Sequence, residues 1–102
     1  MSKLPVAKAP RLARRAADLP GNPAAILKMI LKGARRNLRP VDVAAIRALT
    51  GMSQAKFARA CRISVHTLRN WEQGRRLPHG PARALLLAIA REPKAVMRAL
   101  KA

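Results

Sequence analysis

The stretch Ser53-Gln-Ala-Lys-Phe-Ala-Arg-Ala-Cys-Arg-Ile-Ser-Val-His-Thr-Leu-Arg-Asn-Trp-Glu-Gln-Gly74 decides the fold. Ser53 and Ser64 stand where a hydroxyl caps the free N–H groups of a helix start, and Gly74 stands where a chain leaves a helix. Two short helices joined by a tight turn are therefore predicted over Gln54 to Cys61 and Val65 to Gln73. The apolar residues Phe57, Ala58, Cys61, Ile63, Leu68 and Trp71 fall where two crossed helices pack. The polar residues His66, Thr67, Arg69 and Asn70 fall on the other face of the second helix. This is the layout of a helix-turn-helix, whose second helix is shaped for the major groove of DNA.

Working outward, Asp42 is read as the cap of a preceding helix, with Val43, Ile46 and Leu49 inward and Gly51 as its stop. Downstream, Arg75 to Gly80 reads as a loop, and Pro81 opens a helix carrying Ala82, Leu85, Leu86 and Ile89 on one face. Glu92-Pro93 breaks and restarts the chain into a short last helix with Val96, Met97 and Leu100. Upstream, Asn22-Pro23 is a cap followed by a first-turn proline. Ile26, Leu27, Ile30 and Leu31 then form an apolar stripe with Lys28, Lys32, Arg35 and Arg36 away from it, an amphipathic helix that ends before Pro40. Residues 1–21, with three prolines and five cations, read as a flexible basic arm in which Arg11 to Asp18 forms a transient helix. No segment alternates with period two, so the expected fold class is all-α, with segments at 1–21 (arm), 22–39 (amphipathic helix and linker) and 40–102 (helix-turn-helix domain with C-terminal helices).

With 102 residues, half of them apolar, the chain fills one small domain and a tail. Lys and Arg number 22 against 4 acids, for a net charge of +18. Such a balance speaks about partners rather than fold, and nucleic acid comes before an anionic membrane surface. The least basic part is the motif itself, since residues 41–74 carry only +3. Sequence reading must then come from its polar face while the flanks grip phosphates. The single cysteine, Cys61, gives neither a disulfide framework nor a zinc site, and no other metal ligand set or cofactor motif is visible. No apolar run reaches the roughly 18 residues of a membrane span. The basic start has no apolar centre and does not read as a secretory signal, and a reducing, cytoplasmic, nucleoid-associated setting is expected. Four acids with no phosphate loop or nucleophile constellation argue against an enzyme.

These residues resemble a known family. Residues 41–91 are similar to the Cro/C1-type (Xre) helix-turn-helix domain of phage repressors, a lambda-repressor-like fold of about five helices, here preceded by a basic arm and an extra amphipathic helix. The narrower resemblance is to HigA-type antitoxins, carried by Ile46-Arg47, Gly51-Met52-Ser53-Gln54, Phe57-Ala58, Ser64-Val65, Thr67-Leu68, Asn70 to Arg76, Pro78 and Gly80-Pro81-Ala82. The resemblance implies a dimer that binds operator DNA, represses its own operon and neutralises a RelE/HigB-like ribonuclease toxin. It also implies that Gln54 contacts a phosphate, and that Arg47 and Glu72 form a partly buried structural ion pair. One departure stands out: the turn position usually held by glycine is Arg62, at a cost of roughly 1 kcal/mol if it is left-handed.

A recognition helix presents its N-terminal residues to base edges, which makes Val65, His66, Thr67, Arg69 and Asn70 the base-contact candidates. Arg forks onto guanine and Asn onto adenine, apolar groups touch a thymine methyl, and Thr67 is also suited to a phosphate. The phosphate-contact candidates are Ser53, Gln54, Lys56, Arg59, Arg62, Arg75 and Arg76, and Ser53 caps its helix as well. Trp71 shares helical spacing with Leu68 and reads as core rather than as a base-stacking platform. Two readings stay open for the Ile26, Leu27, Ile30, Leu31 stripe: it covers the domain, or a partner docks on it. Two also stay open for Val96, Met97 and Leu100: a dimer interface, or closure of the monomer's own core.

Three functions compete at this level. The first is the dimeric antitoxin with a toxin partner. The second is a stand-alone phage-like repressor. The third is a nonspecific basic protein that coats nucleic acid. RelE-like toxins are usually basic, so an arm of charge +4 over residues 1–22 is a poor mimic of their RNA substrate, and neutralisation would need apolar docking or steric blocking.

Overall fold

The computed structural model describes residues 19–33 and 37–101. The basic arm expected over residues 1–21 lies outside the described residues as far as Asp18, as do Arg35 and Arg36. Six helices lie among the described residues: α1 Pro23–Gly33, α2 Pro40–Thr50, α3 Gln54–Ala60, α4 Val65–Gln73, α5 Pro81–Arg91 and α6 Pro93–Lys101. The described residues contain no strand, and the architecture is all-α as expected.

The helix limits follow local chemistry. The Asn22 side chain accepts a hydrogen bond from the Ala24 amide at 2.8 Å, which satisfies one free donor at the start of α1. Gly51 and Gly74 end α2 and α4 with φ of 73° and 80°, the left-handed geometry that costs glycine nothing. One boundary differs from expectation. α2 begins at Pro40, and Asp42 sits at its third position rather than at its cap. Its carboxylate accepts from the Arg39 amide at 2.8 Å and from the Arg39 guanidinium at 2.9 and 2.8 Å. Asp42 is fully buried, so this fork is what makes its charge tolerable there. The hydrogen bonds that Arg39 donates to Asp42 also raise the pKa of Arg39 above its ordinary value.

α2 is the hub: it packs on α1, α4, α5 and α6. α3 crosses α4, and α3 and α5 both touch α6. One core joins Ile26 and Ile30 of α1, Leu38 just ahead of α2, Val43 and Ile46 of α2, Phe57 and Ala58 of α3, Leu68 and Trp71 of α4, Leu86, Ile89 and Ala90 of α5, and Met97 of α6. Each large aliphatic or aromatic side chain buried there contributes about 1.5–3 kcal/mol.

This packing bears on the two surfaces for which two readings stand open. Ile26 and Ile30 are core residues, Ile30 with no exposure, so the α1 stripe is largely spent inside the domain. Leu27 and Leu31 are half-buried beside it. The reason is that a three-turn helix cannot stand alone and hides its apolar stripe on the nearest apolar surface, here α2 and α5. Likewise Met97 is a core residue, and Val96 and Leu100 pack partly buried against the core. The last helix thus contributes Met97 to the core, with Val96 and Leu100 at its edge.

Candidate nucleic-acid interface

The turn between α3 and α4 is built by backbone bonds that need one left-handed residue. The Ile63 amide donates to the Ala58 carbonyl at 3.0 Å and the Arg62 amide to the Arg59 carbonyl at 3.1 Å. This paired pattern closes a helix end only if the residue between adopts positive φ. Arg62 does so, at φ 60°. Its guanidinium reaches the carbonyls of Ala60 at 3.1 Å and of Leu100 at 3.3 Å, so the side chain offsets part of the strain. Gly74 closes α4 in the same way, with the Arg75 amide donating to the Asn70 carbonyl at 2.9 Å.

Both helices of the pair start on a serine. Ser53 accepts from the Lys56 amide at 3.2 Å, and Ser64 accepts from the Thr67 amide at 3.0 Å. Ser64 also donates its hydroxyl proton toward Thr67 Oγ1 at 3.0 Å, so Thr67 is held by the cap rather than left to rotate freely.

The orientation of α4 is fixed by a polar network. Arg47 of α2 donates from Nε to Glu72 Oε2 at 2.8 Å and from Nη2 to Glu72 Oε1 at 3.0 Å. A third donor of Arg47 reaches the Met52 carbonyl at 3.1 Å. The Glu72 side chain is 8% exposed and that of Arg47 24% exposed. The bond to Glu72 lifts the Arg47 pKa above its ordinary value, which holds the guanidinium in its charged form. Gln54 adds its amide nitrogen to Glu72 Oε1 at 3.1 Å, and its amide oxygen faces Arg69 Nε at 3.4 Å. The chain Arg47–Glu72–Gln54–Arg69 thus links the hub helix to the exposed face of α4.

On that face His66 and Arg69 are exposed, while Val65, Thr67 and Asn70 are half-buried. Val65 leans on the core, so its outward surface is small. Lys56, Arg59, Arg75 and Arg76 are exposed around the pair. An open hollow of about 950 Å³ runs along α4 and the following loop, lined by His66, Thr67, Asn70, Arg75, Arg76 and His79 among others. Trp71 and Cys61 lie inward, against a smaller apolar cavity of about 230 Å³ shared with Ile63, Ala82, Leu85 and Leu86. Burial pushes the Cys61 thiol above its ordinary pKa, which keeps it protonated and unreactive. Among the described residues no group of His, Cys, Asp and Glu is placed to hold a metal ion, and no helix is long and apolar enough to cross a membrane.

The helix pair, its capped starts and its glycine-type stops meet a matching family. The family described as Helix-turn-helix matches residues 43–91. Those residues are a helix-turn-helix domain of the Cro/C1 type. Antitoxin HigA-2 of Vibrio cholerae serotype O1 is 43% identical to this chain over 58 residues, 57% of this chain and 56% of that protein. The chain therefore spans little more than half the length of that relative.

Three contacts escape a reading of the sequence. The Arg39–Asp42 fork was signalled only by its spacing of three residues. The bond from Arg47 to the Met52 carbonyl and that from Arg62 to the Leu100 carbonyl involve backbone acceptors, which no residue pattern marks.

Proposed function

We propose that this chain is a DNA-binding transcriptional regulator of the antitoxin class and not an enzyme. The observation that carries the reading is the exposed polar face of α4, held in place by Arg47, Glu72 and Gln54 and bordered by exposed cations. In this reading α4 enters the major groove. Arg69 and Asn70 read purines, His66 and Thr67 touch base edges or the adjoining phosphate, and Val65 offers its methyl groups to thymine. Gln54, Ser53, Lys56 and Arg59 set the register on one strand through phosphates, and Arg75 and Arg76 grip the backbone beyond α4. Two copies bind an inverted repeat, and a RelE/HigB-like toxin is the protein partner, as the similarity to Antitoxin HigA-2 supports.

A stand-alone repressor is the second reading. It is favoured by the burial of Ile26 and Ile30, which removes the stripe on which a toxin would most simply dock. Co-expression of the chain with its adjacent reading frame, followed by size-exclusion chromatography with mass determination, separates the two. A stable complex whose partner is toxic alone supports the antitoxin. A dimer of this chain alone, with no partner retained, supports the plain repressor.

A further inference from the structure

The described residues carry three carboxylates, and two of them are spent inside the fold: Asp42 on Arg39 and Glu72 on Arg47. Glu92, at the α5–α6 junction, is the remaining one. The surface of the described residues is thus almost wholly cationic, and the excess has a pattern on α6. Lys94, Arg98 and Lys101 recur at intervals of four and three residues, which stacks them in one exposed stripe beside the buried Met97. Like charges at that spacing repel and weaken the helix that carries them. The stripe ends beside a further cation, because Arg62 caps the Leu100 carbonyl in the last turn of α6. Arg62 lies two residues before Ser64, the cap of α4. The crowded cationic end of α6 therefore adjoins the N-terminal end of α4, the end that the proposed function sends into the groove.

We propose that Arg62, Arg98 and Lys101 form a second phosphate clamp, which grips the DNA backbone beside the groove entered by α4. The occupant is the sugar-phosphate backbone of the same duplex. A polyanion relieves the repulsion along α6, and the α3–α4 turn places that repulsion next to the recognition helix. This inference rests on the DNA-binding reading and extends it by a helix outside the motif. The clamp carries no base information, so it raises affinity on every sequence alike.

The test uses the full chain and a duplex recovered by its own selection from random-sequence DNA, with a scrambled duplex of equal length beside it. Binding is followed by fluorescence anisotropy across a KCl series. Removing a cation that neutralises one phosphate lowers the slope of log K against log salt by about 0.9. The Arg98→Gln/Lys101→Gln variant, changed only at exposed positions, is expected to reduce that slope by about 1.8 while its preference for the selected duplex over the scrambled one stays as it was. Arg62→Gly removes the left-handed strain, so its melting temperature holds or rises while the slope falls by about 0.9. A wild-type slope in both variants overturns the clamp and points α6 at a protein surface or a second copy. If the wild-type chain binds both duplexes equally, base reading fails, and the slopes still decide the clamp. If it binds neither, both fall together.

Discussion

Replacing Arg47 by alanine tests the frame on which the α4 face depends. The change removes two hydrogen bonds to Glu72 and one to the Met52 carbonyl, and it strands a carboxylate whose side chain is 8% exposed. Breaking one partner out of a buried pair costs about 3–5 kcal/mol. Arg47 keeps 24% of its side chain in water, and Gln54 still donates to Glu72, so the low end applies, about 3 kcal/mol. For a domain of this size each kcal/mol moves the melting temperature by about 4–8 °C, which predicts a fall of about 12–24 °C. Thermal unfolding followed by circular dichroism at 222 nm reads it directly. Glu72→Gln should lose less, because the amide oxygen still accepts from Arg47. The double variant Arg47→Met/Glu72→Met should recover much of the loss, since no buried charge is left unpaired. A melting temperature for Arg47→Ala within about 2 °C of wild type would show that the pair does not hold α4 in place, as would a double variant worse than the sum of the singles.

Further outcomes follow from other contacts. Ser64→Ala removes the cap of α4 and its hold on Thr67, and should cost about 1 kcal/mol, read as a melting-temperature drop of about 4–8 °C. Arg75→Gln/Arg76→Gln should leave stability unchanged and weaken binding to all duplexes, with the salt slope reduced by about 1.8 in a KCl titration. Arg69→Ala should instead reduce discrimination, by about 1–3 kcal/mol between the selected duplex and one altered at the base it reads, with the salt slope on scrambled DNA falling less. Cys61 should resist iodoacetamide near neutral pH in the folded chain and react quickly in denaturant, as intact mass will record. Because burial raises its folded pKa above the ordinary 9.0, Cys61 leaves stability untouched below that pH and subtracts from it above, where only the unfolded thiol ionises.

The helix pair was legible because several local signals agree. Ser53 and Ser64 cap, Gly51 and Gly74 stop, and Phe57, Leu68 and Trp71 fall at the spacing of a shared core. The start of α2 was misread because Asp42 is a good cap residue in isolation. Pro40 fits a first helical turn better, and the third position suits a carboxylate reaching back to Arg39. Tertiary partition was the least legible. A stripe such as Ile26–Leu31 looks the same whether it faces its own domain or another molecule, and the burial of Ile26 and Ile30 appears only once α1 is packed on α2 and α5. Leu38 and Pro78 sit in loops between helices and follow no period, yet both are buried. The direction of Arg62 toward the end of α6 is likewise a product of the closed fold, with 38 residues separating donor and acceptor.

Selection from random DNA followed by hydroxyl-radical footprinting asks whether the exposed face of α4 reads duplex sequence. A reading face gives one protected inverted repeat, with half-sites about 10 bp apart centre to centre, and Arg69→Ala/Asn70→Ala loses that preference. Enrichment of no motif, with equal protection of every duplex and an unchanged pattern in the double variant, would contradict it and leave a nonspecific basic coat.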